Sequence, residues 1–166
     1  MTFSRKLKSA AIAVIAAGAV LAPLAAHAQN RSVTQGRSGP FAIDYVIENG
    51  QFDRCAATLS PGPNMLRIAY TRNLAYSISV PGVPVPARTI TFLFGPRPWV
   101  KAASTDPKRT RAWAAVGTDT IEALMKVKGK IAIDLGDKQY RWPIGRTDMT
   151  NVMVALENCT HKALGH

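Results

Sequence analysis

The sequence predicts an α+β fold, mainly antiparallel β: a sandwich-like arrangement of eight or nine short strands, a short helix near residues 119–128 and a C-terminal helix near 147–161. Three observations carry this. Apolar and polar residues alternate in short runs between Gly, Pro and Asn punctuation from Phe41 to Ile144, which is the period of half-buried strands. Only two stretches, starting near Asp119 and Thr147, show the three- and four-residue spacing of a helix face. The only two cysteines, Cys55 and Cys159, fall on an early strand and on the last helix, where one bridge would tie the ends of the fold.

In chain order, MTFSRKLK precedes an apolar run from Ala10 to Ala22, then Pro23 and the small-residue site Ala26-His27-Ala28. This is the pattern of a secretory signal peptide over residues 1–28, with cleavage expected after Ala28. The run is too short for a membrane span, which needs about 18 or more apolar residues. Residues 29–40, QNRSVTQGRSGP, are polar with no apolar period and read as a flexible leader. One globular domain is expected over 41–166.

Phe41, Ile43, Tyr45 and Ile47 form one face of a strand that ends at Asn49-Gly50, and Gln51 to Ser60 reads as a short core strand anchored by Cys55. Leu66, Ile68 and Tyr70 alternate with Arg67, Ala69 and Thr71, and Tyr76, Ile78 and Val80 return after Arg72-Asn73. This is a hairpin, with Asn73 the residue that best tolerates left-handed backbone. Three prolines in residues 81–86 predict an extended crossing rather than a central strand. Ile90, Phe92 and Phe94 mark a further strand, and Trp99–Ala103 and Arg111–Gly117 flank a loop, STDPKRT.

Asp119 and Glu122 have capping-box spacing before Ile121, Leu124 and Met125, and Gly129 stops that helix. Ile131, Ile133 and Leu135 then pair with Tyr140, Trp142 and Ile144 across Gly136-Asp137. In the last helix Met149, Val152, Met153, Leu156 and Cys159 or Thr160 share one face. Thr147 or Asp148 caps its start, and Lys162 suits the negative end of its dipole.

The chain carries a formal charge of +11, of which Arg5, Lys6 and Lys8 supply three in the expected signal peptide. The rest favours anionic partners: lipopolysaccharide, acidic glycan or phospholipid head groups, or a protein partner, with nucleic acid not expected. Export makes one Cys55–Cys159 disulfide the simplest use of two thiols. A zinc site from Cys55, Cys159, His161 and His166 matches no common ligand spacing, and no metal or cofactor is expected.

His161 and His166 are the only histidines after residue 28, and G-x-S-x-G, H-E-x-x-H and C-x-x-C are all missing. A histidine-dependent triad is therefore not expected, and no catalytic residue is assigned. Asp44, Glu48, Asp53, Asp134 and Asp137 leave a carboxylate pair of the glycosidase kind as the enzymatic alternative. The strongest binding candidate is RPWVKAASTDPKRTRAW, where Arg97, Lys101, Lys108, Arg109 and Arg111 lie between and beside Trp99 and Trp113. Cations next to indole rings suit anionic ligands through charge and stacking.

The G-x-F-x-x-C segment at Gly50 to Cys55, the tyrosines Tyr70 and Tyr76, and the ending I-G-x-T-x₇-A-L-x-x-C from Ile144 to Cys159 resemble a group of small exported alphaproteobacterial proteins. A more distant resemblance is to the invasion-associated locus B proteins, from which this chain departs in having only two cysteines. The first resemblance implies a periplasmic protein without known catalysis and supplies no site residues; the second implies a host-directed secreted factor. The expectation is thus an exported, periplasmic or secreted, non-enzymatic binding protein, with a small envelope hydrolase as the alternative.

Overall fold

Ser38 and Phe41 pair across the two-residue turn Gly39-Pro40, and this turn opens a run of antiparallel hairpins. The computed structural model describes residues 30–82, 88–108 and 110–166. The expected signal peptide, residues 83–86 of the proline-rich crossing, and Arg109 lie outside the described residues.

Among the described residues, eleven strands and two helices follow in the order β1 (Arg31–Ser38), β2 (Phe41–Glu48), β3 (Gln51–Leu59), β4 (Leu66–Thr71), β5 (Tyr76–Pro81), β6 (Thr89–Phe92), β7 (Trp99–Ala102), β8 (Ser104–Thr105), β9 (Arg111–Val116), α1 (Thr118–Met125), β10 (Gly129–Asp134), β11 (Gln139–Gly145) and α2 (Met149–Leu164). A seven-stranded sheet has the order β1-β2-β3-β4-β5-β9-β8, and a four-stranded sheet the order β11-β10-β6-β7. Every pairing is antiparallel. The α+β, sandwich-like class expected from the sequence is the one observed, with β1 and β8 added to the nine strands that alternation marks.

The addition of β1 corrects the reading of residues 29–40 as a leader without fold. Its side chains are exposed along nearly its whole length, so no apolar alternation betrays it. What holds it is main-chain pairing with β2, interrupted by a bulge between Thr34 and Gly36. Gly39 supplies the positive φ of 56° that the turn requires, and a Cβ there would meet the Thr147 side chain at 2.9 Å. At the next hairpin Asn49 and Gly50 both take positive φ, 52° and 76°. Between β4 and β5 the left-handed residue is Leu74 at φ 56° rather than Asn73.

The apolar stripes of both sheets meet in one core. Phe41, Ile43, Cys55, Ala57, Ile68 and Ile78 face inward from the large sheet, and Ile90, Phe92, Ile131, Ile133 and Trp142 from the small one. Each fully buried residue of this size contributes about 1.5–3 kcal/mol through removal from water. Helix α2 packs on the same side: Met149, Val152, Met153 and Leu156 are buried, and Thr160 donates to the Tyr70 carbonyl at 3.1 Å. Asp148 is its N-cap, accepting from Thr150 N at 3.0 Å, and Gly165 ends it at φ 83°.

Cys159 bonds Cys55 on β3, closing a separation of 104 residues with Cα atoms 6.0 Å apart. Beside the bridge, Tyr76 on β5 donates its hydroxyl to Glu157 of α2 and packs on Tyr70 with ring centroids 4.4 Å apart. Burial, then the Glu157 carboxylate, pushes the Tyr76 phenol well above its ordinary value.

Helix α1 differs from its expected boundaries. Its N-cap is Gly117, without a side-chain cap bond, and the Asp119 carboxylate instead accepts from its neighbour Thr120 N at 2.7 Å. It stops at Met125 because Val127 turns into the core and Gly129, at φ 77°, already begins β10.

Helix α2 and the small sheet therefore pack on the inner face of the large sheet, with α1 against α2, and among the described residues no helix or second sheet packs on the outer one, where Val46, Ala56 and Ala69 form a small buried cluster.

Candidate functional site

Alternation places every second residue of β3, β4, β5 and β9 on that outer face. In one register row Ala56, Ala69, Ser77 and Ala115 lie side by side across the four strands. In the next row Thr58, Arg67, Ser79 and Trp113 do the same. Small residues thus floor a groove, and long ones rise around it. Arg54 stands at one end, paired with Glu48 at 2.7 Å and with Asp53. Arg67, Arg111 and Trp113 stand at the other. The cavity holds about 500 Å³, within the range of roughly 300–1,000 Å³ typical of small-ligand clefts.

The two arginines at the deep end are set differently from Arg54. Arg111, opposite Pro81 in the register, sends its guanidinium back over β5, donating from Nη1 to the Met65 carbonyl at 2.5 Å and from Nη2 to Ser79 Oγ at 2.7 Å. Arg67 lies next to it with Nη2 3.8 Å from Met65 Sδ, and its Nε is buried without a hydrogen-bond partner. Among the described residues neither forms a salt bridge. Burial, then the charge of Arg67, lowers the Arg111 guanidinium to about 10, and burial, then Arg54, lowers that of Arg67. Two cations held together and partly desolvated, with donors left over, have the chemistry that suits an anion.

Hydroxyls of Thr71, Ser77 and Ser79 line the groove between these ends. Asp106 lies at the rim and is committed to its own turn, accepting from Arg111 N and from Thr110 Oγ1, each at 2.7 Å. The Arg111 amide in particular holds its carboxyl below the usual range. Trp113 is 37% exposed and forms part of the wall.

The basic cluster read from the sequence is thereby divided. Arg111 and Trp113 enter the groove, because β9 joins the large sheet. Trp99 and Lys101 lie on β7 of the small sheet, with Arg97 just before it and its guanidinium 5.2 Å from the Trp99 ring centroid. Lys108 is exposed in the turn between β8 and β9. Arg54 and Arg67, which complete the groove, fall outside the sequence cluster. Their signal was the outward half of the strand alternation, where Arg67, Ala69 and Thr71 put one long cation among small residues.

Of the carboxylates considered for catalysis, Asp44 is buried and accepts from Thr34 at 2.6 Å and Thr58 at 2.8 Å, and Asp134 accepts from Gly136 N at 2.8 Å. Among the described residues no group of three or more His, Cys, Asp or Glu is placed to hold a metal ion, and no helix is long and apolar enough to cross a membrane. No protein-family model matches the chain, and no significant match was found among curated proteins or solved structures.

Proposed function

We propose that this chain is an exported protein, periplasmic or secreted, that works by binding rather than catalysis and takes an anionic component of the cell envelope in the arginine groove. The observation that carries this reading is the apposition of Arg67 and Arg111 over a floor of small residues, with no carboxylate among the described residues in salt-bridge contact with either. Like charges brought together under partial burial oppose folding, and a bound anion removes that cost. The N-terminal pattern and the disulfide support export. Asp44 and Asp134 are occupied by local hydrogen bonds, which favours binding over carboxylate chemistry.

The test is titration of the oxidised protein, residues 29–166, with inorganic phosphate and with anionic and neutral lipid vesicles over a salt series. Binding that weakens with salt, and about tenfold or more on Arg67→Met or Arg111→Met, is expected, since charge-assisted hydrogen bonds contribute about 1.5–3 kcal/mol. Binding to no anion, or binding indifferent to both substitutions, removes the proposal.

A further inference from the structure

The groove carries more than cations. Its wall includes an indole, Trp113, and its floor and sides carry the hydroxyls of Ser77, Ser79 and Thr71. Its lining also contains Glu48 near Arg54 and Asp106 near Arg111. For a bare phosphate these additions are superfluous. For a polyanion the two carboxylates are repulsive, since they lie where further negative groups of the ligand would run.

The set does suit a ligand with one negative charge on a polyol ring. The anion meets the spare donors of Arg67 and Arg111, an aromatic face packs on the apolar side of a pyranose, and hydroxyl donors find carboxylate and serine acceptors. The register fixes the spacing: Ser79 separates Arg67 from Trp113 by one strand, so Arg67 and Trp113 lie two strand spacings apart, roughly 10 Å. That is the reach of one sugar ring with its substituent, and the cavity of about 500 Å³ has room for one or two rings.

We propose that the groove binds an acidic sugar, its carboxylate or phosphate between Arg67 and Arg111 and its ring against Trp113. This rests on the anion-binding reading above and narrows it to a substrate class. Uronic acids and sugar phosphates share the chemistry, and the test separates them.

Wild-type protein, Trp113→Leu and Arg67→Met are titrated calorimetrically, and by tryptophan fluorescence, with galacturonate, glucose 6-phosphate, glucose, acetate and inorganic phosphate. Either acidic sugar, or both, binds about tenfold tighter than the matching bare anion, and glucose binds far more weakly. Trp113→Leu removes the fluorescence change and that tenfold advantage while leaving phosphate binding in place; Arg67→Met weakens both. Which acidic sugar is preferred tells carboxylate from phosphate. Acidic sugars no tighter than acetate or phosphate, or unaffected by Trp113→Leu, overturn the assignment while the anion site stands. No binding by any anion removes both.

Discussion

Arg111 donates to the Met65 carbonyl at 2.5 Å, 46 residues upstream, and so lays its guanidinium beside Arg67 on the open face of the large sheet. That contact is made by neutral acceptors, Met65 O and Ser79 Oγ, rather than by a carboxylate. Asp106 acts on Arg111 and Asp44 and Glu48 on Arg67 only from a distance, and their pull is smaller than the cost of burial, so both guanidiniums stay below their ordinary values.

If the pair binds an anion as proposed, it trades stability for function. Arg67→Met keeps an apolar stem on the same face of β4 as Ala69 and removes one of two repelling, partly desolvated cations. Its melting temperature is expected to equal or exceed that of the wild type by a few degrees, while phosphate binding weakens about tenfold or more. A scanning calorimetry trace showing clear destabilisation would mean that Arg67 is there for the fold.

Alkaline titration should single out the hydroxyl contact between β5 and α2. The Tyr76 phenol has a folded pKa raised above its ordinary 10.0, by burial first and then by Glu157. A raised folded value means the contribution is fully present below about pH 10 and falls away as the pH rises above it, because the unfolded chain ionises first. Chemical denaturation between pH 7 and 11 should show stability declining less steeply above pH 10 in Tyr76→Phe than in the wild type. At pH 7 the same variant is expected to lose about 0.5–1.5 kcal/mol through the missing hydrogen bond.

The bridge from Cys55 to Cys159 spans 104 residues and joins the middle of the large sheet to the last helix. Replacing both cysteines by serine is expected to cost about 2–5 kcal/mol, read from urea midpoints against the oxidised protein. Mass spectrometry of the chain produced in an oxidising compartment should find both sulfurs oxidised.

Gly39 tests whether the unexpected first strand is held by its turn. Its φ of 56° disfavours any side chain, and a Cβ would press on Thr147. Gly39→Ala should lose about 1–2 kcal/mol, combining left-handed strain with the clash. Adding Thr147→Ala should return only the steric part, so a double-mutant cycle with no coupling would contradict the contact.

Much of this architecture could be read from residue order because most strands bury one face. Phe41/Ile43, Ile68, Ile78, Ile131/Ile133 and Trp142/Ile144 announce their inward sides by alternation, and Met149, Val152, Met153 and Leu156 announce a helix face in the same way. The Asp148 cap and the pairing of two cysteines are equally local or combinatorial facts. The first strand escaped because its side chains are almost all in water, and only hydrogen bonds and a turn define it. The cap of α1 escaped because Asp119 spent its carboxylate on Thr120, although the helix itself starts within a residue of the expected place.

By itself, the order of residues determined the class of fold, the disulfide and which side chains would point away from the core. Tertiary structure alone decided which of those outward side chains meet. The basic run from Arg97 to Trp113 was divided because β7 pairs with β6 in one sheet and β9 with β5 in the other. Arg67 and Arg111 came together because β5 pairs with β4 on one edge and with β9 on the other. Alternation tells a residue which face it takes, but long-range strand pairing, which carries no short-range signal, chooses its neighbours.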